Sequence, residues 1–264
     1  MTPNVDADRD EDASGTPLSS ALVALQLSAP EAPSRPPRTL HLFLDLDGCI
    51  VLDEAACGWA VPPRPRPFLA MFLATAFHCC ASVSLWTAAG SSWLARVRSM
   101  IHEQSLLPAG ASFLLEWSGD RCRQRANLAA IEAGDFYARR LPSKPLLKAW
   151  RRGAGRRAGM KRHNTLIVDD TPSTYRDNYG NALPIAPFDA LHQEAHDDEL
   201  RRLASFLPVL AALPDIRSVE KRGWSHRYAV HAHQTQSNDS SSSSNESGAT
   251  GSGDATTGAH ADVS

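Results

Sequence analysis

The 264-residue chain predicts an α/β fold: a parallel sheet with helices on both faces. Two observations carry this. Apolar runs that read as buried strands alternate with segments that are apolar at helical spacing. Two of those runs, Leu40–Leu46 and Thr165–Val168, finish in pairs of aspartates, Asp45 with Asp47 and Asp169 with Asp170. Carboxylates at the carboxyl ends of two buried parallel strands face one crevice, where open α/β sheets bind ligands. Either pair alone is equally well explained as a turn or a helix cap; both together, each behind an apolar run, favour a site. Several carboxylates converging there can hold one Mg²⁺, a hard cation that prefers oxygen ligands. The chemistry indicated is phosphoryl transfer.

In chain order, Leu40–Leu46 is the first strand, followed by a Gly/Pro-punctuated loop over 48–66. Pro67 can open a helix as its first residue, with Phe68, Leu69, Phe72, Leu73 and Phe77 as the apolar face. Val83–Trp86 is a second strand. Ser91 or Ser92 can cap the next helix, whose inner side uses Leu94, Val97 and Ile101. Phe113–Leu115 reads as a short strand and residues 118–141 as an insertion between sheet elements. Thr165–Val168 is the later central strand, and Glu199–Leu213 a final helix with Leu200, Leu203, Phe206, Leu207 and Leu210 inward.

The composition divides the chain into three. Residues 1–37 carry six acids, two bases and several prolines, and read as a disordered lead with an apolar stretch at Leu18–Leu27. Residues 229–264 hold four acids, no Lys or Arg, and a run of serines, too little apolar surface to offset the entropy of ordering. The formal charge of −2 therefore leaves +6 on residues 38–228, which suits an anionic substrate. The densest basic stretch is Arg151–His163; without aromatics for base stacking it reads as a solvated loop, with Arg151 and Arg152 as substrate-facing candidates and no direct nucleic-acid contact expected. The five cysteines have no Cys-x-x-Cys spacing, so a reducing compartment is expected and zinc is not. None has an arginine six positions on, which argues against a cysteine-based phosphatase. No run approaches eighteen apolar residues, and the acidic start, Met1 to Asp12, argues against a signal or transit peptide.

Several motifs, in order between about residues 39 and 213, resemble the haloacid-dehalogenase superfamily, in the form of the RNA polymerase II C-terminal-domain (NLI-interacting-factor-like) phosphatases. Asp45-Leu-Asp47-Gly48 is similar to the first motif, Leu85-Trp86-Thr87-Ala88-Ala89 to the second, Lys144 in Ser-Lys-Pro-Leu to the third, and Ile167-Val168-Asp169-Asp170-Thr171-Pro172 to the fourth. Trp117 with Arg121-Cys122, Asn181–Ile185, and His196-Asp197-Asp198-Glu199-Leu200 extend the likeness. The resemblance implies a Rossmann-like sheet, here without a large cap domain, since nothing long separates Asp47 from Thr87. It implies Asp45 as the nucleophile that forms an aspartyl-phosphate, and Asp47 as the acid and base that manages protons, its carbonyl on the metal. Thr87 would donate its hydroxyl and local N–H groups to the phosphoryl oxygens. Lys144, with Lys148 and Lys161 as competitors for the motif position, would neutralise charge. Mg²⁺ would be held by Asp45, Asp47 and Asp170, with Asp169 orienting the site from behind through Lys144 or a water. Cys49 stands where the family has Thr or Val and places a thiol at the mouth, although a small buried apolar role is preferred. The 57 positions from Thr87 to Lys144 leave room for a substrate-facing insertion.

The resemblance implies a Mg²⁺-dependent phosphoprotein phosphatase acting on phosphoserine or phosphothreonine; a monomer in the nucleus or cytoplasm is expected, with its open site bordered by basic side chains from 64–66 and 151–162. Two alternatives belong to other classes. One is a non-catalytic receptor-type subunit of the mitochondrial inner-membrane translocase with the same fold; the other is a small-metabolite phosphatase.

Overall fold

The computed structural model describes residues 38–52, 61–135, 140–189 and 197–226. The lead with Leu18–Leu27, the Ser-rich tail, Cys57, His196 and the middle of the 48–66 loop lie outside the described residues.

Five parallel strands form one sheet in the order β3-β2-β1-β6-β7. They are β1 (His41–Leu44), β2 (Ser82–Trp86), β3 (Glu116–Trp117), β6 (Thr165–Asp169) and β7 (Ala182–Pro184). β1 lies between β2 and β6, with Leu44 opposite Leu85 on one side and Val168 on the other. Side chains alternate across the sheet. Leu42, Leu44, Val83, Leu85, Leu166 and Val168 enter the larger core, which also takes in α1 (Leu69–Cys79), α2 (Ser91–Glu103) and α7 (Glu199–Ala211). Phe43, Trp86 and Ile167 point the other way, onto Leu146, Ala149 and Met160 around α4 (Leu147–Arg151) and α5 (Gly153–Arg157). Helices on both faces explain why the strands read as unbroken apolar runs rather than alternating ones. Each fully buried Leu, Ile, Val or Phe contributes about 1.5–3 kcal/mol.

The 118–141 region is an insertion as expected, and it has its own structure. β4 (Arg123–Ala126) and β5 (Arg140–Ser143) pair antiparallel, with α3 (Leu128–Glu132) between them, capped by Asn127 accepting from the Ala130 N–H. Arg125 and Ser143 both donate to Asp177, fastening the hairpin beside α6 (Pro172–Tyr175).

Several local expectations are corrected. α1 begins at Leu69 rather than Pro67; Phe68 takes a left-handed conformation (φ 64°) at the cap and is 46 % exposed, and the inner face is Leu69, Phe72, Leu73 and Ala76. α2 starts at Ser91 itself, with Gly90 at the cap and no side-chain cap bond. The third strand falls at Glu116–Trp117 instead of Phe113–Leu115, although the Leu114 N–H and the Leu115 carbonyl already bond to Val83 and Leu85. β7 is a strand too short to stand out by periodicity; it is specified by pairing with β6.

Candidate active site

The β1–β6 register determines which carboxylates meet. The Asp45 N–H donates to the Val168 carbonyl at 3.0 Å, continuing the ladder one residue beyond β1. Asp45 and Asp169 therefore stand side by side on the face of Phe43 and Ile167. Lys144 reaches them from that face. Its Nζ lies 2.6 Å from Asp45 Oδ1 and 2.8 Å from Asp169 Oδ2, and its side chain is fully buried. The turn that delivers it is held by Asn178, whose amide donates to the Lys144 carbonyl at 2.7 Å and accepts from the Leu146 N–H at 3.0 Å. The Lys144 N–H donates to the Thr174 carbonyl. Lys148 points elsewhere and bonds the Arg121 carbonyl, so Lys144 is the lysine of the crevice.

Both oxygens of Asp169 are occupied: Oδ2 by Lys144, Oδ1 by the Thr174 hydroxyl at 2.6 Å and the Thr171 N–H at 3.0 Å. Asp45 Oδ1 also accepts from the Leu46 N–H at 2.7 Å. Oxygens of Asp45, Asp169 and Asp170 lie within 4.8 Å of one another. Asp47 is not one of that trio, and its Oδ2 accepts from the Thr87 hydroxyl at 2.7 Å. The Thr87 N–H donates to the Trp117 carbonyl, so this sheet bond takes a donor that the sequence offered to substrate; the hydroxyl in turn accepts from the Ala89 N–H.

Gly48 makes the turn between Asp47 and the buried Cys49–Val51 segment possible. Its φ is +69°, and a Cβ would sit 2.6 Å from Asp170 Oδ2, so only glycine lets the loop pass against that carboxylate. Cys49 is wholly buried, not at the mouth, and burial pushes its thiol well up. The expected basic border at 64–66 is overturned for Arg66. It is 2 % exposed, ion-paired to Asp197 at 2.9 Å, and donates to the carbonyls of Cys49 (3.1 Å) and Ala186 (2.8 Å). It braces the Gly48–Cys49 turn from behind. The sequence signal was present in the acids opening the last helix, but nothing local tied them to an arginine 131 positions away. Arg151 and Arg152 are exposed and line a separate groove, described below.

Burial pushes the Asp45 carboxyl well above the usual range and the Asp169 charge adds to this, while Lys144 opposes both. Burial, then the Asp169 charge, raises Asp170 to about 6. For Lys144, burial alone would depress the ammonium; the two carboxylates and their hydrogen bonds outweigh it and hold it above its ordinary value. Three carboxylates thus face one fixed cation, an excess of negative charge on oxygen donors alone. That fits a hard divalent cation, with Asp45 and Asp170 supplying oxygens and Asp169 already committed to Lys144 and its threonines. The crevice, about 440 Å³, is walled by Asp45, Asp47, Gly48, Ala88, Asp170 and, from the inserted hairpin, Leu141 and Pro142.

A parallel sheet with this carboxylate–lysine crevice at its carboxyl edge has the haloacid-dehalogenase form that the motifs resemble. The family model for NLI interacting factor-like phosphatases matches residues 40–217, and the chain belongs to that family. It is 25% identical over 193 residues to ubiquitin-like domain-containing CTD phosphatase 1 of Danio rerio, covering 73% of this chain and 56% of that one. The Xenopus laevis protein of the same name is 24% identical over 196 residues, covering 74% and 57%. The chain thus spans little more than half the length of these curated relatives. Among solved structures it is similar to a variant of the fission yeast RNA polymerase II CTD phosphatase Fcp1 bound to beryllium fluoride, at 14% identity and TM-score 0.35, covering 78% of this chain and 67% of that one. Among the described residues no helix is long and apolar enough to cross a membrane.

Proposed function

We propose that the chain is a Mg²⁺-dependent phosphatase of phosphoserine and phosphothreonine in protein segments, working through an aspartyl-phosphate on Asp45. The observation that carries this is Lys144 clamped between Asp45 and Asp169, with Asp170 beside them. Asp45 Oδ1 is held by Lys144 and the Leu46 N–H, leaving Oδ2 as the attacking oxygen. As the new bond to phosphorus forms, the bond to the serine or threonine oxygen breaks and Asp47 gives that oxygen its proton. Asp47 then takes a proton from water, whose oxygen attacks phosphorus and releases Asp45. The Thr87 hydroxyl orients Asp47 for both steps, and Lys144 stabilises charge on the phosphoryl group from a dry position. Asp45 and Asp170, with the Asp47 carbonyl, would hold Mg²⁺, which would supply positive charge beside the phosphoryl group and the attacking carboxylate.

Between Asp47 and Thr87 the described chain is loop, α1 and β2, with no cap domain among the described residues, which supports an extended polypeptide as the substrate. We read the protein as a nuclear or cytoplasmic monomer acting on phosphorylated protein partners, and cysteines without disulfides among the described residues suit those reducing compartments. The test is turnover of a phosphopeptide, a generic aryl phosphate and a sugar phosphate, with and without Mg²⁺. The phosphopeptide is expected to have the highest kcat/KM, because remote contacts can be used in the transition state. Asp45→Asn should abolish phosphate release with the fold intact. Full turnover by that variant removes the covalent mechanism, and a wide margin for the sugar phosphate replaces the protein substrate with a metabolite.

A further inference from the structure

Beside the crevice runs a second, larger groove of about 690 Å³ that the reaction above does not use. Its cationic lining is Arg121, Arg123, Lys148, Arg151 and Arg152, against a single acid, Asp120. All five cations are exposed. Arg121 is only loosely opposed by Asp120, at 3.6 Å, with both side chains largely in solvent. Lys148 uses one donor on the Arg121 carbonyl and keeps the others. The floor is apolar, formed by Trp117 and Leu147.

The groove is joined to the catalytic centre through the backbone. Its wall residue Pro145 directly follows Lys144, whose ammonium touches Asp45. Trp117 accepts the Thr87 N–H through its carbonyl, and the Cys122 thiol, next to Arg121, reaches the Thr87 carbonyl at 3.8 Å. These contacts tie the groove's lining to Thr87 and Lys144, two residues that frame the crevice.

Resting on the phosphoprotein reading, we infer that this groove is a second anion subsite, which takes a further phosphorylated side chain of the same substrate segment. Guanidinium groups match phosphate oxygens in paired hydrogen bonds, and several arginines with few acids nearby favour a dianion over a single carboxylate. The apolar floor accommodates the stems of intervening residues. Single-stranded nucleic acid is the other polyanion, but it needs rings on which bases can stack. The Trp117 ring is engaged by Trp86, edge-on at 4.7 Å, and by Phe43 at 5.7 Å.

The experiment compares peptides carrying one phosphoserine with peptides carrying a second phosphoserine, or an aspartate, scanned along either flank. Binding is read by fluorescence anisotropy on the Asp45→Asn chain, and kcat/KM on the unsubstituted chain with Mg²⁺. At one favoured spacing the second phosphate should improve binding about tenfold, and aspartate less. In Arg121→Glu/Arg152→Glu, and separately in Arg151→Glu, the ratio of doubly to singly phosphorylated peptide should fall toward one. That ratio is internal to each variant, so a general loss of activity does not imitate it. A preference that survives both variants, or no preference at any spacing in a protein that turns over singly phosphorylated peptide, overturns the subsite while leaving the phosphatase intact. A binding preference lost in the variants, without turnover of any phosphopeptide, keeps the subsite and removes the enzymatic reading. Single-stranded RNA that competes as well as the best peptide, and is lost in the same variants, overturns the phosphopeptide assignment.

Discussion

Lys144 is the residue on which folding and chemistry meet. Its ammonium is the fixed positive charge among three carboxylates, and Asn178 and Thr174 hold the backbone that delivers it. Lys144→Met keeps the length of the side chain and removes the charge. The change should abolish turnover and cost roughly 3–5 kcal/mol at neutral pH, because it leaves buried carboxylates without their partner; urea unfolding with and without the substitution measures it. Asp170 stands at the other side of the group, half-buried and facing Gly48. Asp170→Ala is expected to weaken activity and shift the Mg²⁺ titration together, and an unchanged titration takes it out of the ligand set.

Among the elements, the β4–β5 hairpin has an attachment that titrates. Burial pushes the Asp177 carboxyl up, but hydrogen bonds from Arg125 and Ser143 more than offset this and hold it below the usual carboxylate range. A carboxyl depressed in the folded state contributes stability above its unfolded pKa, and that contribution disappears as pH falls through the folded value. Asp177→Asn should therefore lower the Tm at neutral pH, with the gap to the unsubstituted protein closing as the pH drops below the carboxylate range. Since Leu141 and Pro142 of this hairpin wall the crevice, the same substitution should disturb KM for a peptide more than it disturbs the fold. Helices α1 and α7 pack against each other over the larger core through apolar contacts. At Asp198, the cap of α7, burial is outweighed by hydrogen bonds from Arg201 and Arg202 that hold its carboxyl below its ordinary value, so the start of α7 also loses stability as the pH falls.

At the scale of the whole molecule, the charge is segregated: acid at both ends of the chain and +6 between. We expect a chain trimmed to residues 38–228 to retain turnover and to unfold in one cooperative transition, since Ser-rich and acidic segments offer little apolar surface to a core. Calorimetry and the phosphopeptide assay check this; loss of both would place part of the folding unit in the removed ends, with Leu18–Leu27 the first segment to restore.

What the sequence by itself determined was whatever depends on neighbours along the chain. Apolar runs bounded by aspartates marked β1 and β6 and put Asp45, Asp47, Asp169 and Asp170 at their ends, since a strand end and its polar continuation are written in consecutive residues. The inner faces of α2 and α7 followed from spacing for the same reason. The motif resemblance extended this to Thr87 and Lys144 and to the family that residues 40–217 match. Tertiary structure decided the rest. β3 lies where β2 offers partners, a few residues beyond the apolar stretch. Lys144 rather than Lys148 enters the crevice because the turn at Asn178 aims it there. Arg66, which as an isolated arginine reads as surface, is buried because Asp197 arrives beside it from 131 residues away. Periodicity is local and leaves its record in the sequence, whereas the partner that compensates a buried charge is chosen by how the sheet and its helices pack.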